Sequence, residues 1–160
     1  MSERFNELSM LARLGVARVS APRWAWVVPA LMVVVAGILR FYNLAHPNAI
    51  VFDETYYAKD AYSYLHYGYE LNWTKEANGT FVAGSPSGLL MDSPEYVVHP
   101  PLGKWMIAAG MAIFGDNNPF GWRFSAALIG TLSVALVAYA AWLLFRSMTV
   151  ATIAAILASV

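Results

Sequence analysis

The sequence predicts an all-α integral membrane protein whose first two spans enclose a long extracytoplasmic loop bearing two interfacial helices. Three observations carry that reading. Of 160 residues, 59% are hydrophobic and only 12% charged, too few polar side chains to cover a soluble domain of this size. The apolar residues are gathered into runs, Trp24 to Leu39 and Phe124 to Phe145; the second has no charge and as a helix crosses about 30 Å of hydrocarbon. Arginines flank those runs on one side: Arg4, Arg13, Arg18 and Arg23 precede the first and Arg146 follows the second, which places both ends in the cytoplasm.

In chain order, residues 1–23 form a cytoplasmic N-terminal segment. Phe5, Leu8, Leu11 and Leu14, interleaved with Arg13 and Arg18, suit a helix lying on the inner membrane surface. Residues 24–44 form the first transmembrane helix. It reads as an uncleaved signal anchor, because about 20 residues precede it and no small-x-small cleavage site follows Leu39. Residues 45–119 form the extracytoplasmic loop; between Ala45 and Asp116 it holds eight acids against Lys59, Lys75 and Lys104. A juxtamembrane helix is expected near 53–68, with Asp53 able to cap it and Tyr57, Ala61, Tyr64 and Gly68 near one face. The tyrosines at 56, 57, 62, 64, 67 and 69 suit a membrane–water boundary, where the ring is buried and the hydroxyl stays wet.

Glu70 to Glu95 is rich in Gly, Ser, Pro and Asn and reads as an irregular excursion with two sequons, at Asn72 and Asn78. Pro100-Pro101 opens a second short helix, near 100–114, which Gly115 to Pro119 ends. Residues 120–145 form the second transmembrane helix. The run 149–160 is apolar to its last residue and too short to span, so it is expected to be the start of a truncated third helix in the N-terminal part of a larger protein. There is no internal repeat and no low-complexity tract. The formal net charge is zero, which gives no bias toward nucleic acid. The absence of cysteine excludes disulfides, thiolate metal sites and cysteine nucleophiles, while leaving the compartment open.

Three clusters bear chemistry. In Phe52-Asp53-Glu54-Thr55-Tyr56-Tyr57 the acids can serve as helix cap and dipole complement, or as a base close to the membrane. Successive helical residues point about 100° apart, so Asp53 and Glu54 need separate roles. In His99-Pro100-Pro101-Leu102-Gly103-Lys104, Lys104 lies in the first turn, where the dipole disfavours a cation. An anionic ligand would offset that, whereas a snorkelling interfacial lysine is the plain alternative; His99 alone is uninformative. In Phe120-Gly121-Trp122-Arg123, Arg123 stands at the outer mouth of the second span, as Arg40 does at the first. Snorkelling accounts for either, but two outward arginines beside acids and a lysine suggest an anion site.

These pieces fit transfer of a sugar from a polyprenyl phosphate. The leaving phosphate is already stable as an anion, so the site needs a base for the acceptor hydroxyl and cations for the developing charge, but no general acid. Glycosidases, by contrast, need two opposed carboxyl groups.

The four stretches Arg40-Phe41, Phe52-Asp53-Glu54 with Tyr56-Tyr57, His99 to Lys104, and Phe114-Gly115 followed by Phe120 to Arg123 together resemble, in order and spacing, the dolichyl-phosphate-mannose–protein mannosyltransferases. The resemblance covers roughly residues 30 to 145. It implies the multi-span GT-C fold of lipid-phosphate-sugar-dependent glycosyltransferases, and inverting transfer of mannose from a polyprenyl-phosphate-mannose donor to Ser or Thr of secreted proteins. It implies Asp53 as base, Glu54 as an orienting group and Arg123 at the phosphate, with Lys104, His99, Arg40 and Tyr57 as further substrate-binding candidates. No metal ligand set and no cofactor beyond the lipid donor are expected. The expected partners are that donor, acceptor polypeptides, the membrane and the secretion machinery, with no nucleic acid. The expected location is the plasma membrane, multi-pass, with a cytoplasmic N-terminus. The Ala- and Val-rich spans have a bacterial, actinobacterial look. The alternatives are a related transferase that places a pentose on a glycolipid, and a non-catalytic membrane scaffold. His99 before the prolines and the Phe-Gly-Trp-Arg run favour the mannosyl reading. The scaffold leaves the outward arginines unexplained.

Overall fold

The computed structural model describes residues 21–74, 77–84, 86 and 88–160; the expected helix on the inner membrane surface lies outside them. A single 3₁₀ turn, Arg23–Trp26, leads into α1 (Val27–Phe41). The loop carries α2 (Glu54–Tyr67), β1 (Leu71–Trp73), α3 (Ala77–Val82) and β2 (Leu90–Pro94). Then come α4 (Leu102–Phe114), α5 (Pro119–Phe145) and α6 (Met148–Ser159).

The helix ends follow local chemistry. Gly68 ends α2 with φ 85°, a left-handed conformation that costs glycine little, and its N–H donates to the Tyr64 carbonyl at 3.1 Å. Pro101 occupies the N-cap of α4. The Asn118 Oδ1 accepts the Phe120 N–H at 3.0 Å, and Pro119, which has no N–H to satisfy, takes the first position of α5.

Two helices are long and apolar enough to cross a membrane, Arg23–Phe41 and Pro119–Phe145, with mean hydropathies of 1.9 and 2.1. Their flanks stay uncovered by protein: Leu31, Val34 and Ile38 on α1, and Ile129, Leu132 and Leu136 on α5, are all exposed. Lipid matches such surfaces and water penalises them, which makes this a mostly helical membrane protein. At 13 residues, α4 is about 20 Å long, short of the hydrocarbon thickness.

The loop differs from expectation. Within 70–95 a two-stranded antiparallel sheet forms, pairing Leu71 with Pro94 and Trp73 with Leu90. The Asn72 amide donates across it to the Pro94 carbonyl at 2.9 Å and the Ser93 hydroxyl at 3.1 Å. So the fold is not purely α, and the Asn72 side chain is engaged in the sheet.

The chain forms two compact units. In the one that joins 21–35 to Ser133–Val160, Trp26 packs edge-on against Trp142 at 5.6 Å, Tyr139 stacks on Trp142, and the Arg146 guanidinium lies 5.5 Å from that ring. The other unit, Ala36–Leu132, holds all the candidate site residues. Its core is Ala58 and Ala61 of α2, Phe81 of α3, Ala108 and Met111 of α4, and Trp122 of α5. Small residues let backbones meet there: a methyl on Gly110 would overlap the Gly121 carbonyl, and the Ser125 hydroxyl donates to the Met106 carbonyl. Phe41, Phe114, Phe120 and Phe124 pack with ring centroids 4.7–6.3 Å apart. This seam ties the ends of α1 and α4 to the start of α5.

Candidate active site

The turn that enters α2 carries the two adjacent carboxylates. Phe52 lies at φ 51°, a region bulky residues avoid, with its ring exposed. The Val51 N–H donates to Glu54 Oε2 at 3.0 Å and closes the turn. Asp53 itself is helical (φ −68°, ψ −11°), and its side chain makes no capping bond. The capping reading of Asp53 therefore fails: a capping side chain reaches the first-turn N–H groups from extended backbone, and Asp53 is helical. Glu54 closes the turn in its place.

Arg123, on the first turns of α5, engages that turn with its whole guanidinium. Its Nε and Nη2 grip Glu54 Oε1 and Oε2 at 2.6 and 2.8 Å. Nη1 donates to the carbonyls of Leu44 and Pro47 at 3.1 and 3.0 Å, and Nη2 to that of Ala49 at 3.0 Å. A guanidinium has five N–H donors, and here all five are used on protein acceptors. Arg123 thus fastens the 44–49 segment and Glu54 to α5, and in this arrangement has no N–H to offer a phosphate. Burial would raise the Glu54 carboxyl, but hydrogen bonds from Arg123 and the Val51 N–H, with the Arg123 charge, outweigh it and hold the group below its ordinary 4.5.

Two cavities meet at this turn. The first, an open groove of about 540 Å³, is lined by Arg40, Asp53, Glu54, Tyr57 and Arg123 among apolar side chains that include Leu44, Phe52, Ile107 and Trp122. Arg40 enters from α1, where its Nη1 donates to the Ala36 carbonyl at 3.3 Å. The second cavity, of about 370 Å³, is lined by Asp53, Tyr56, Tyr57, Asp60, Glu95, Tyr96, Val98, His99 and Lys104. Asp53 and Tyr57 border both. Tyr57 stacks on His99 with ring centroids 5.6 Å apart.

Lys104 does meet anions in the first turn of α4, but they belong to the protein. Its ammonium sits 2.8 Å from Asp60 Oδ2 and 2.7 Å from Glu70 Oε1, with side-chain exposures of 3%, 7% and 1% for Lys104, Asp60 and Glu70. Burial opposes the Lys104 charge, but the bonds to Asp60 and Glu70 prevail and raise its pKa. Asp60 is raised as well, because burial and the Glu70 charge outweigh the pull of Lys104. Two acids on one lysine leave this corner with excess negative charge, a poor seat for a phosphate.

The structure therefore brings Asp53, Glu54, Arg40, Tyr57 and Arg123 to one groove, and Asp53, Tyr57, His99 and Lys104 to its neighbour. It adds Asp60, Glu70 and Glu95, which the sequence reading passed over. The one available signal for them was the unbalanced first-turn lysine, which requires a nearby acid without naming it. No group of three or more His, Cys, Asp or Glu suited to a metal ion occurs among the described residues.

The family profile described as dolichyl-phosphate-mannose-protein mannosyltransferase matches residues 98–160. A polyprenol-phosphate-mannose–protein mannosyltransferase of Mycobacterium tuberculosis is 38% identical over 138 residues, which is 82% of this chain and 22% of that protein. Its namesake in Corynebacterium glutamicum is 34% identical over 132 residues, 81% of this chain and 23% of that protein. An undecaprenyl phosphate-α-4-amino-4-deoxy-L-arabinose arabinosyl transferase of Pseudomonas savastanoi is 40% identical over 87 residues, 54% of this chain and 13% of that protein. The chain thus spans under a quarter of the length of these curated relatives. No solved structure matches it.

Proposed function

From the premise that this chain belongs to the dolichyl-phosphate-mannose-protein mannosyltransferase family, we propose that it builds the base-bearing wall of a mannosyl transfer site. The donor is a polyprenyl-phosphate-mannose and the acceptor a Ser or Thr hydroxyl of a secreted polypeptide. The observation that carries this reading is the Asp53 carboxylate, which borders both cavities and has no hydrogen bond or ion pair among the described residues. An uncommitted carboxylate between two cavities can face one substrate from each side.

Asp53 takes the proton of the acceptor hydroxyl. The oxygen attacks the anomeric carbon opposite the phosphate, the bond from that carbon to the phosphate oxygen breaks, and the configuration inverts. The leaving group departs as a stable anion, so no protein acid is needed. Arg40 supplies positive charge in the apolar groove, where electrostatics are strong, and faces the lipid phosphate. Glu54 and Arg123 act by holding the turn that aims Asp53, and Tyr57 with His99 forms an aromatic wall beside it. The site lies outside the plasma membrane, with the N-terminus of the chain in the cytoplasm and the protein multi-pass in a GT-C arrangement. The secretion machinery would supply acceptors as they emerge. Since the relatives are several times longer, these 160 residues alone are proposed to lack turnover.

The test is Asp53→Asn in the full-length protein, which keeps shape and removes the base. Single-turnover transfer at saturating donor, in membranes with matched protein amounts, should fall by about 10²-fold or more, with donor binding retained. A near-wild-type rate would overturn the assignment.

A further inference from the structure

The second cavity is negatively charged where the first carries Arg40. Its lining includes Asp53, Asp60 and Glu95 against the single cation Lys104, and that ammonium is already held by Asp60 and Glu70. Asp60 is the informative group. Its side chain is 7% exposed, one oxygen is bound to Lys104, and the other, Oδ1, is buried and is given no donor by the described residues other than a proton shared with Glu95. A buried carboxylate oxygen without a donor is costly, and native structures rarely keep one unless something else supplies the donor. Glu95 lies against Asp60, and both carboxyls are pushed up, each by burial first and Glu95 next by the Asp60 charge. Two facing carboxyls need a proton or another cation between them. A lipid phosphate is excluded here by charge, so the ligand of this cavity differs from that of the groove.

We propose that this cavity is a subsite for a lysine or arginine side chain of the acceptor polypeptide, held by Asp60 Oδ1 and Glu95 while the neighbouring Ser or Thr hydroxyl faces Asp53. The proposal rests on the reading of Asp53 as the base. The cavity suits an amphipathic cation: Tyr56, Tyr57 and Tyr96 line it, so an aliphatic stem has rings to lie on while its head reaches the carboxyls. Asp53 borders the same space, which sets the cation and the accepting hydroxyl on one short stretch of peptide.

The experiment uses the full-length protein in membranes, polyprenyl-phosphate-mannose, and acceptor peptides that differ only in Lys, Gln or Glu beside the accepting Thr. Wild type should use the Lys peptide about tenfold better in kcat/KM than the Gln peptide, and the Glu peptide least. Glu95→Gln should reduce the Lys preference, read as the ratio of kcat/KM for the Lys and Gln peptides, to about twofold. Glu95→Lys should turn the order over in favour of the Glu peptide. Glu95 is partly buried and makes no ion pair with Lys104, so neither variant removes a partner of that ammonium. Equal use of the three peptides by wild type, or a preference that survives Glu95→Gln, overturns the subsite and leaves Asp53 standing. Failure to mannosylate any of the peptides overturns the transferase reading, and the subsite with it.

Discussion

If Arg123 acts by fastening Glu54, the two residues form one device, and removing both should cost no more than removing one. The pair is two-thirds or more buried in effect, with side-chain exposures of 13% for Arg123 and 24% for Glu54, and the contact is bidentate at 2.6 and 2.8 Å. Breaking a fully buried pair costs about 3–5 kcal/mol, chiefly because one charge is left unpaired. Partial access to water offsets some of that, so a coupling energy of about 2 kcal/mol is expected, worth roughly 30-fold in rate. The assay is a double-mutant cycle of Arg123→Ala and Glu54→Gln in the full-length protein, read as single-turnover mannosyl transfer at low and at saturating donor. Each single variant should lose rate, and the double variant should lose about as much as the worse single. Arg123→Lys should recover little, because one ammonium has three donors for five acceptors and no planar fork. If Arg123 instead grips the donor phosphate, the losses multiply and a raised donor KM appears in Arg123→Ala alone. That result would refute the fastening argument.

Two further outcomes follow from the charges. Lys104→Met leaves Asp60 and Glu70 facing each other in a buried corner, so the full-length protein should accumulate poorly or lose about 3 kcal/mol or more of stability. Adding Asp60→Asn and Glu70→Gln should restore accumulation, checked by detergent-extracted yield and thermal unfolding; normal accumulation of Lys104→Met would show the corner to be wetter than described. Glu54, whose pKa is depressed, contributes stability that is complete above its ordinary 4.5 and is lost as pH falls below that through its folded value. Limited proteolysis of the 44–54 segment should therefore quicken below pH 4.5 in wild type, while Glu54→Gln should be cleaved quickly already at pH 7 and change less on acidification. Matching pH profiles would refute the argument.

The long helices were legible because a run of apolar residues is a local property, counted along the chain without knowledge of neighbours. The sheet was not: β1 is three residues long, too short for a period of two to register, and it exists only because Leu71 meets Pro94 across 23 positions. Lys104 shows the boundary between the two kinds of information. The helix dipole announces that a first-turn lysine needs an anion, and this is visible in Pro101-Leu102-Gly103-Lys104. Which anion it receives depends on α2 packing against α4, and that brings in Asp60 and Glu70, 44 and 34 residues away. Arg123 was picked out by its place at the outer mouth of a span. That its donors are all consumed depends on three carbonyls of the 44–49 segment, and no sequence pattern marks a carbonyl's direction.

The neighbouring acids Asp53 and Glu54 show how one turn commits one carboxylate to structure and leaves the other unbonded. The side chain that closes the turn is Glu54, whose longer stem reaches back to the Val51 N–H and across to Arg123. Asp53, one residue earlier and rotated about 100° around the helix axis, is left with no bond to satisfy. The Phe52 backbone at φ 51° costs about 1–3 kcal/mol for a non-glycine residue. The Arg123 bonds on either side of it, to Ala49 and to Glu54, supply the opposing stabilisation. An unfastened turn would relax that backbone and swing Asp53 away from the edge the two cavities share. The strain, the clasp and the unbonded carboxylate are thus parts of one arrangement: on the proposed reading of Asp53 as the base, a carboxylate that must stay available to a substrate proton cannot hold its own position, so its neighbour holds it.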